Sequence, residues 1–351
     1  MTRRTTATLV AGGMTALLAL GVLALPLPYV RYQPGVTIDL LSETKGDERI
    51  EVTGHKVYRD DGELRMLTIM ATPPKTRITL MTAMSAWLSP DDSVKPYDEV
   101  YGKDETEKQQ ERDAAVQMST SQDDAIVAAM TQLGYDVPRV PVVGPLTDGK
   151  PAVGKLVPRD RYLKIGGTPI KSWDDVVKAI SGATPGKPLQ FVVERAGKKV
   201  TTEIEPVLDG GRVVIGVARA YDYKMPFTVK VNVAENIGGP SAGLLFALSI
   251  YDTLTPGSLT GGRRIAGTGT ITPEGAVGPI GGIQQKVAGA RRAGATLFLV
   301  PAVNCDEAVT GARGSMRLTA VETLADAEKA ITTYAANPKA DLPTCEEYLA
   351  R

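Results

Sequence analysis

Apolar residues recur along this chain in three patterns, and each predicts a different kind of element. The first is an uncharged run from Thr5 to Val30, long enough to span a bilayer as a helix. Arg3 and Arg4 stand at its N-terminal end. By the positive-inside rule they orient the N-terminus toward the cytoplasm and the rest of the chain outside. The rival reading is a cleaved signal peptide, with Ala19-Leu20-Gly21 as a small-x-small site. The apolar run continues past that site to Val30, further than a signal peptide needs, which favours an uncleaved anchor.

The second pattern is short and strand-like. Ile50-Glu51-Val52-Thr53 and Leu64 to Met70 flank Asp60-Asp61-Gly62, which predicts a hairpin with a glycine turn. Tyr221 to Val233 alternates in the same way, and Leu297 to Pro301 is a continuous apolar run that predicts a buried strand. The third pattern is helical. A charge run from Lys103 to Arg112, with Asp104 and Lys108 at i,i+4 spacing, leads into alanine-rich sequence ending at Leu133. It predicts a solvated surface helix. Gly134-Tyr135 and the prolines after it mark a boundary. A short strand and a helix are expected within Leu318 to Tyr334. Strands and helices alternate through the C-terminal half, so the expected class is mixed α/β (α+β).

Two helical segments carry candidate chemistry. Gly239 suits an N-cap and Pro240 the first helical position, where its missing N–H is no loss. That places Ser241 in the first turn of an almost wholly apolar, hence buried, helix reaching Asp252. The positive end of the helix would favour an oxyanion beside Ser241. The segment Ile283 to Gly294 sets Ile283, Val287, Ala290 and Gly294 on one stripe. Lys286 lies at the edge of that stripe. Partial desolvation there would lower its pKa toward the range where lysine works as a base. The plain alternative is a lysine whose stem covers apolar surface while its head stays in water.

Composition narrows the classes. The 351 residues predict two or three domains. Forty basic and forty acidic residues balance, so no polyanion partner is implied. Aromatic content of 5% argues against a base-stacking surface and hence against nucleic acid. His55 is the single histidine. No multi-histidine metal site can form, and a Ser-His-Asp triad would rest on a residue far from Ser241 in sequence. Cys305 and Cys345 lack metal-site spacing, so no metal is expected. Gly182 to Lys187 falls one residue short of the phosphate-loop spacing and lacks Ser or Thr after Lys187. It reads as a turn, so no nucleotide cofactor is expected.

Three motifs in order, Gly239-Pro240-Ser241-Ala242-Gly243, Thr268-Gly269-Thr270-Ile271-Thr272 and Gly281-Gly282-Ile283-Gln284-Gln285-Lys286, resemble the proteolytic domain of the Lon family. The resemblance implies that Ser241 is the nucleophile, Lys286 its general base and Thr268 a support for the lysine. Thr270 departs from the family's T-G-E-I-T, and Gly238 replaces an acidic or polar residue. Pro151 to Leu156, Asp160 to Ile170, Trp173 to Val177 and Leu189 to Arg195 resemble a bacterial PDZ domain. Such domains take a peptide as an added strand, with Val140 to Val143 on the expected binding side.

The expected layout is an anchor at 1–30, an extracytoplasmic N-terminal region at 31–134, a PDZ domain at 135–208, a Lon-type domain at 212–335 and a tail at 336–351. It implies a membrane-anchored, ATP-independent serine endopeptidase acting on proteins or peptides outside the cytoplasm. The family's ring assemblies imply a homo-oligomer. The alternative is a non-proteolytic PDZ adaptor that keeps a Lon-like domain for assembly. With both cysteines placed outside the cytoplasm, where disulfides persist, Cys305 is expected to bridge Cys345.

Overall fold

The computed structural model describes residues 3–44, 46–102, 105–234, 236–311 and 314–350. In chain order, helix α1 (Arg3–Leu23) is followed by strands β1 (Tyr29–Asp39), β2 (Ile50–Thr53) and β3 (Glu63–Ala71). Helix α2 (Leu80–Leu88), β4 (Ser93–Pro96) and the long helix α3 (Glu107–Gln132) come next. Then follow β5 (Arg139–Leu146), β6 (Arg161–Ile165), α4 (Trp173–Ser181), β7 (Leu189–Arg195), β8 (Lys198–Ile204) and β9 (Val217–Tyr223). The chain continues through β10 (Thr228–Val231), α5 (Gly243–Leu254), β11 (Arg264–Gly267), α6 (Ile283–Arg292) and β12 (Leu297–Pro301). It closes with α7 (Cys305–Gly311), β13 (Arg317–Val321), α8 (Leu324–Ala336) and α9 (Cys345–Leu349). Two compact units result, Met1–Gly134 with Phe227–Arg351, and Tyr135–Pro226.

The first unit is built on one mixed sheet in the order β13-β12-β11-β3-β1-β4. Strands β13, β12, β11 and β3 run parallel to their neighbours, while β1 is antiparallel to both β3 and β4. Every residue of β12 is buried, as expected of a strand covered on both faces. Helix α5 is apolar on nearly every side, and all its residues but Tyr251 are buried. The N-terminal region is therefore no separate body. It supplies β1, β3 and β4 to the sheet that carries the C-terminal half.

The expected hairpin around Asp60-Asp61-Gly62 does not form. Strand β2 pairs with β10, and β3 lies inside the large sheet between β1 and β11. Leu64, Met66 and Leu67 of β3 are all buried, and only an interior position covers them all. Gly62 donates its N–H to Asp60 Oδ1 at 2.9 Å, so the turn is a side-chain one. Helix α3 starts after its N-cap Thr106, whose hydroxyl accepts from the Gln109 N–H. Lys103 and Asp104 of the expected charge run lie outside the described residues.

Helix α1 covers only the first part of the expected run: it ends at Leu23, and Tyr29 and Val30 already belong to β1; Leu9, Leu17, Leu18 and Leu20 are exposed. Among the described residues, however, no helix is long and apolar enough to cross a membrane. Threonines and three glycines dilute the apolar character of α1. The side chains of Arg3 and Arg4, on which the expected orientation rests, lie outside the described residues.

The second unit holds a sheet in the order β8-β7-β6-β5-β9 around a core of Tyr162, Trp173, Val176, Phe191 and Val193. Helix α4 begins with a capping box between Ser172 and Asp175, which satisfies two N-terminal donors at once. Gly182 caps its C-terminus, and Gly186 takes a φ of 73° in the turn that follows. The Gly182–Lys187 segment is thus a turn. The expected strand Tyr221–Val233 is split. Its first part belongs to β9 in this unit and its second to β10 in the other. Strand β9 lies antiparallel on β5, with Arg219 opposite Val143 and Asp222 opposite Val140. The edge expected to receive a peptide is thus already paired by the chain itself. Gly144 permits the close approach, since a Cβ there would lie 2.4 Å from the Ala218 carbonyl oxygen.

Candidate active site

Ser241 sits in the turn that enters α5, one residue before the N-cap Ala242. The helix therefore starts later than the sequence predicts. One cause is the loop at Gly238–Gly239, where Gly239 takes a φ of 89°. A left-handed residue ends the approach of the chain and delays the first helical turn. The Ser241 carbonyl accepts the Gly269 N–H at 2.9 Å and the Thr268 hydroxyl at 2.8 Å. That peptide is tied to the T-G-T segment instead of to its own helix.

Lys286 arrives from α6, which follows Gly282 in a left-handed conformation. Its side chain is 2% exposed, so the stem does not snorkel to water. Its Nζ lies 2.7 Å from Ser241 Oγ and 2.9 Å from Thr268 Oγ1. Burial lowers the ammonium pKa from its ordinary 10.5 to about 7. Desolvation is the cause, because it disfavours the charged form. Since Thr268 spends its proton on the Ser241 carbonyl, its oxygen is left to accept from Nζ. Nζ donates to Ser241 Oγ, and at the same distance the one lone pair of a neutral amine can take the Ser241 proton instead.

The N–H groups of Ser241 and Ala242 have no hydrogen-bond acceptor among the described residues. Both residues line a cleft of about 490 Å³ together with Lys286. Its other walls include Val36, Met66, Ile69, Met70, Met118 and Ile237. Most of these come from β1, β3 and α3, which no motif marks. Nothing in the sequence singles out Met118 or the nearby Ser121, because their contacts with the nucleophile loop close only in three dimensions.

Thr268 joins Ser241 and Lys286, as described. Cys305 and Cys345 form a disulfide between the starts of α7 and α9, away from the cleft, with their Cα atoms 5.0 Å apart. His55 stacks on the Phe227 ring, so Ser241 faces a lysine and not the histidine. Among the described residues no cluster of His, Cys, Asp and Glu could hold a metal ion.

Residues 228–333 match the Lon protease (S16) C-terminal proteolytic domain, and residues 116–205 match a PDZ domain. The PDZ match starts within α3, ahead of the compact unit that begins at Tyr135. Lon protease 2 of Herpetosiphon aurantiacus is 42% identical over 87 residues, 24% of this chain and 10% of that protein. Lon protease 1 of Bacillus subtilis is 36% identical over 86 residues, 24% and 11% of the two chains. Lon protease 1 of Sorangium cellulosum is 32% identical over 181 residues, 47% of this chain and 20% of its own. The chain thus spans a fifth or less of the length of these relatives. With motif, domain match and buried serine-lysine pair falling on the same residues, the chain joins a PDZ domain to a Lon-type (S16) proteolytic domain.

Proposed function

We propose that this chain is an ATP-independent serine endopeptidase in which Ser241 and Lys286 form the catalytic dyad. The observation that carries the reading is the 2.7 Å contact between a buried Lys286 Nζ and Ser241 Oγ. Neutral Lys286 takes the Ser241 proton as Oγ bonds to the scissile carbonyl carbon. The resulting oxyanion is held by the Ser241 and Ala242 N–H groups. As the C–N bond breaks, Lys286 gives its proton to the leaving amine and an acyl-enzyme remains. Water then attacks the ester carbon and passes a proton to Lys286. The C–Oγ bond breaks and Oγ recovers that proton. Thr268 keeps Nζ aimed at Ser241 throughout.

The Gly182–Lys187 segment forms a helix-capping turn and not a phosphate loop, and no step of the proposed reaction is routed through ATP. The PDZ domain supports recognition of protein or peptide segments. The disulfide supports an extracytoplasmic location, and the exposed apolar residues of α1 support attachment to a membrane. Carbonate extraction of membranes with and without residues 3–23 tests that attachment; full release of the intact chain would refute it.

The chemistry is tested with purified Ser241→Ala and Lys286→Gln. Each is expected to lower peptide hydrolysis by more than about a thousandfold, because members of a catalytic unit fail together. A fluorophosphonate should label the native serine and neither variant. Turnover near that of the native protein in either variant would sink the dyad, whereas a native protein that neither turns over peptide nor takes the label would favour the adaptor reading.

A further inference from the structure

Helix α3 lies outside the segment that matches the Lon proteolytic domain, yet three of its residues, spaced at about one turn, meet the nucleophile loop. The Ala114 carbonyl accepts the Gly239 N–H at 2.9 Å. Met118 lines the cleft. Ser121, 4% exposed, donates its hydroxyl to the Pro240 carbonyl at 3.0 Å. The loop is shaped to receive this helix. A Cβ at Gly238 would lie 2.6 Å from Ala114 Cβ, and one at Gly243 would lie 2.8 Å from Ser121 Oγ. Gly238 is the position where the sequence departs from the acidic or polar residue of the Lon motif, and α3 leaves no room for either.

The Ser121 contact has a consequence for the reacting centre. Pro240 C=O and Ser241 N–H belong to one peptide unit, and no peptide bond here is cis. In a planar trans peptide the two groups point in opposite directions. Fixing the carbonyl therefore fixes the direction of the N–H. A hydrogen bond to the carbonyl also polarises the N–H and strengthens it as a donor. Thr268 and Gly269 hold the next peptide by its Ser241 carbonyl in the same manner, which sets the Ala242 N–H.

We propose that Ser121 is a positioning residue for the oxyanion site, holding the Pro240–Ser241 peptide so that the Ser241 N–H meets the developing negative charge. The inference rests on the proteolytic reading above. Helix α3 is firm enough for the task. Residues Ala125 to Met130 are buried, and Gln132 Nε2 donates to Glu328 on α8 at 2.8 Å.

The full chain is used, with a short peptide substrate and a peptide boronate whose adduct on Ser241 carries a tetrahedral, negatively charged boron. Removing an oxyanion donor outright costs more, so misaiming one in Ser121→Ala should lower kcat by about 10-fold. Boronate affinity should fall by a similar factor. KM and the pH midpoint of kcat should stay within experimental error, because neither substrate binding nor Lys286 is touched. Ser121→Cys is close in size but a weak donor. It should give an intermediate loss, and it decides the matter if Ser121→Ala fails to fold. A kcat within twofold of the native value in the deciding variant would overturn the assignment. So would a loss confined to KM or a shifted pH midpoint. A native protein inert to both peptide and boronate would overturn the proteolytic reading and this inference with it. An active native protein matched by Ser121→Ala would overturn this inference alone.

Discussion

At the scale of the residue, the proposed dyad makes Lys286 the group that sets the pH behaviour. A lysine with pKa of about 7 is a proton acceptor only when neutral. The kcat of peptide hydrolysis should therefore rise with pH through a midpoint near 7. A rate that is flat from pH 6 to 9 would separate Lys286 from the proton transfer. The same burial affects stability. Between about pH 7 and 10.5 the unfolded chain holds a proton on Lys286 that the folded chain has lost. Stability consequently falls as pH drops across this window, by up to about 1.4 kcal/mol per pH unit. Lys286→Met removes that penalty. It should melt higher than the native protein at pH 7, with the gap closing toward pH 10.5. Equal melting temperatures at both pH values would mean that the lysine is not buried as a near-neutral amine.

At the scale of the element, boundaries were set by neighbours more than by local propensity. The interior of α5 was readable from its apolar run, but its start was displaced because Gly239 is left-handed and because Gly269 and Thr268 capture the Ser241 carbonyl. The 50–53 and 64–70 strands were also readable. Their partners were not, because an alternating segment carries no label for what lies beside it. Strand β9 shows the point most sharply. It occupies the β5 edge through Arg219 to Tyr223, so a peptide that adds to that edge must first displace it. Ala220→Pro removes a backbone donor and disfavours the paired strand. A peptide ending in an apolar residue should bind the variant at least about tenfold more tightly than the native chain, read by calorimetry, because the competing strand is weakened. Equal affinities would show that β9 does not guard the binding edge.

At the scale of the whole molecule, the first unit is closed by chain segments from both ends. The disulfide ties α9 to α7 across 40 residues of sequence. In the chain-entropy model a loop of that length contributes about 3–4 kcal/mol. Replacing both cysteines by serine should lower the melting temperature by roughly 6–16 °C, at about 2–4 °C per kcal/mol. An unchanged midpoint would remove the bridge from any role in stability.

The pairing of Ser241 with Lys286, on which the proposed dyad rests, was legible in the sequence because both residues stand on short motifs. Ser241, Thr268 and Lys286 stand on loops and a helix start whose glycines leave a recognisable spacing. The mixed α/β class was legible for a similar local reason, since buried strands and amphipathic helices have different periods. The tertiary structure alone decided that β1 and β3 from the N-terminal region complete the sheet and the cleft, that β9 covers β5, and that Ser121 reaches Pro240 across 119 residues of sequence. These are contacts between distant segments, each chosen by the shape and burial of the other. A side chain that meets its partner only after folding leaves no spacing in the chain by which to find it.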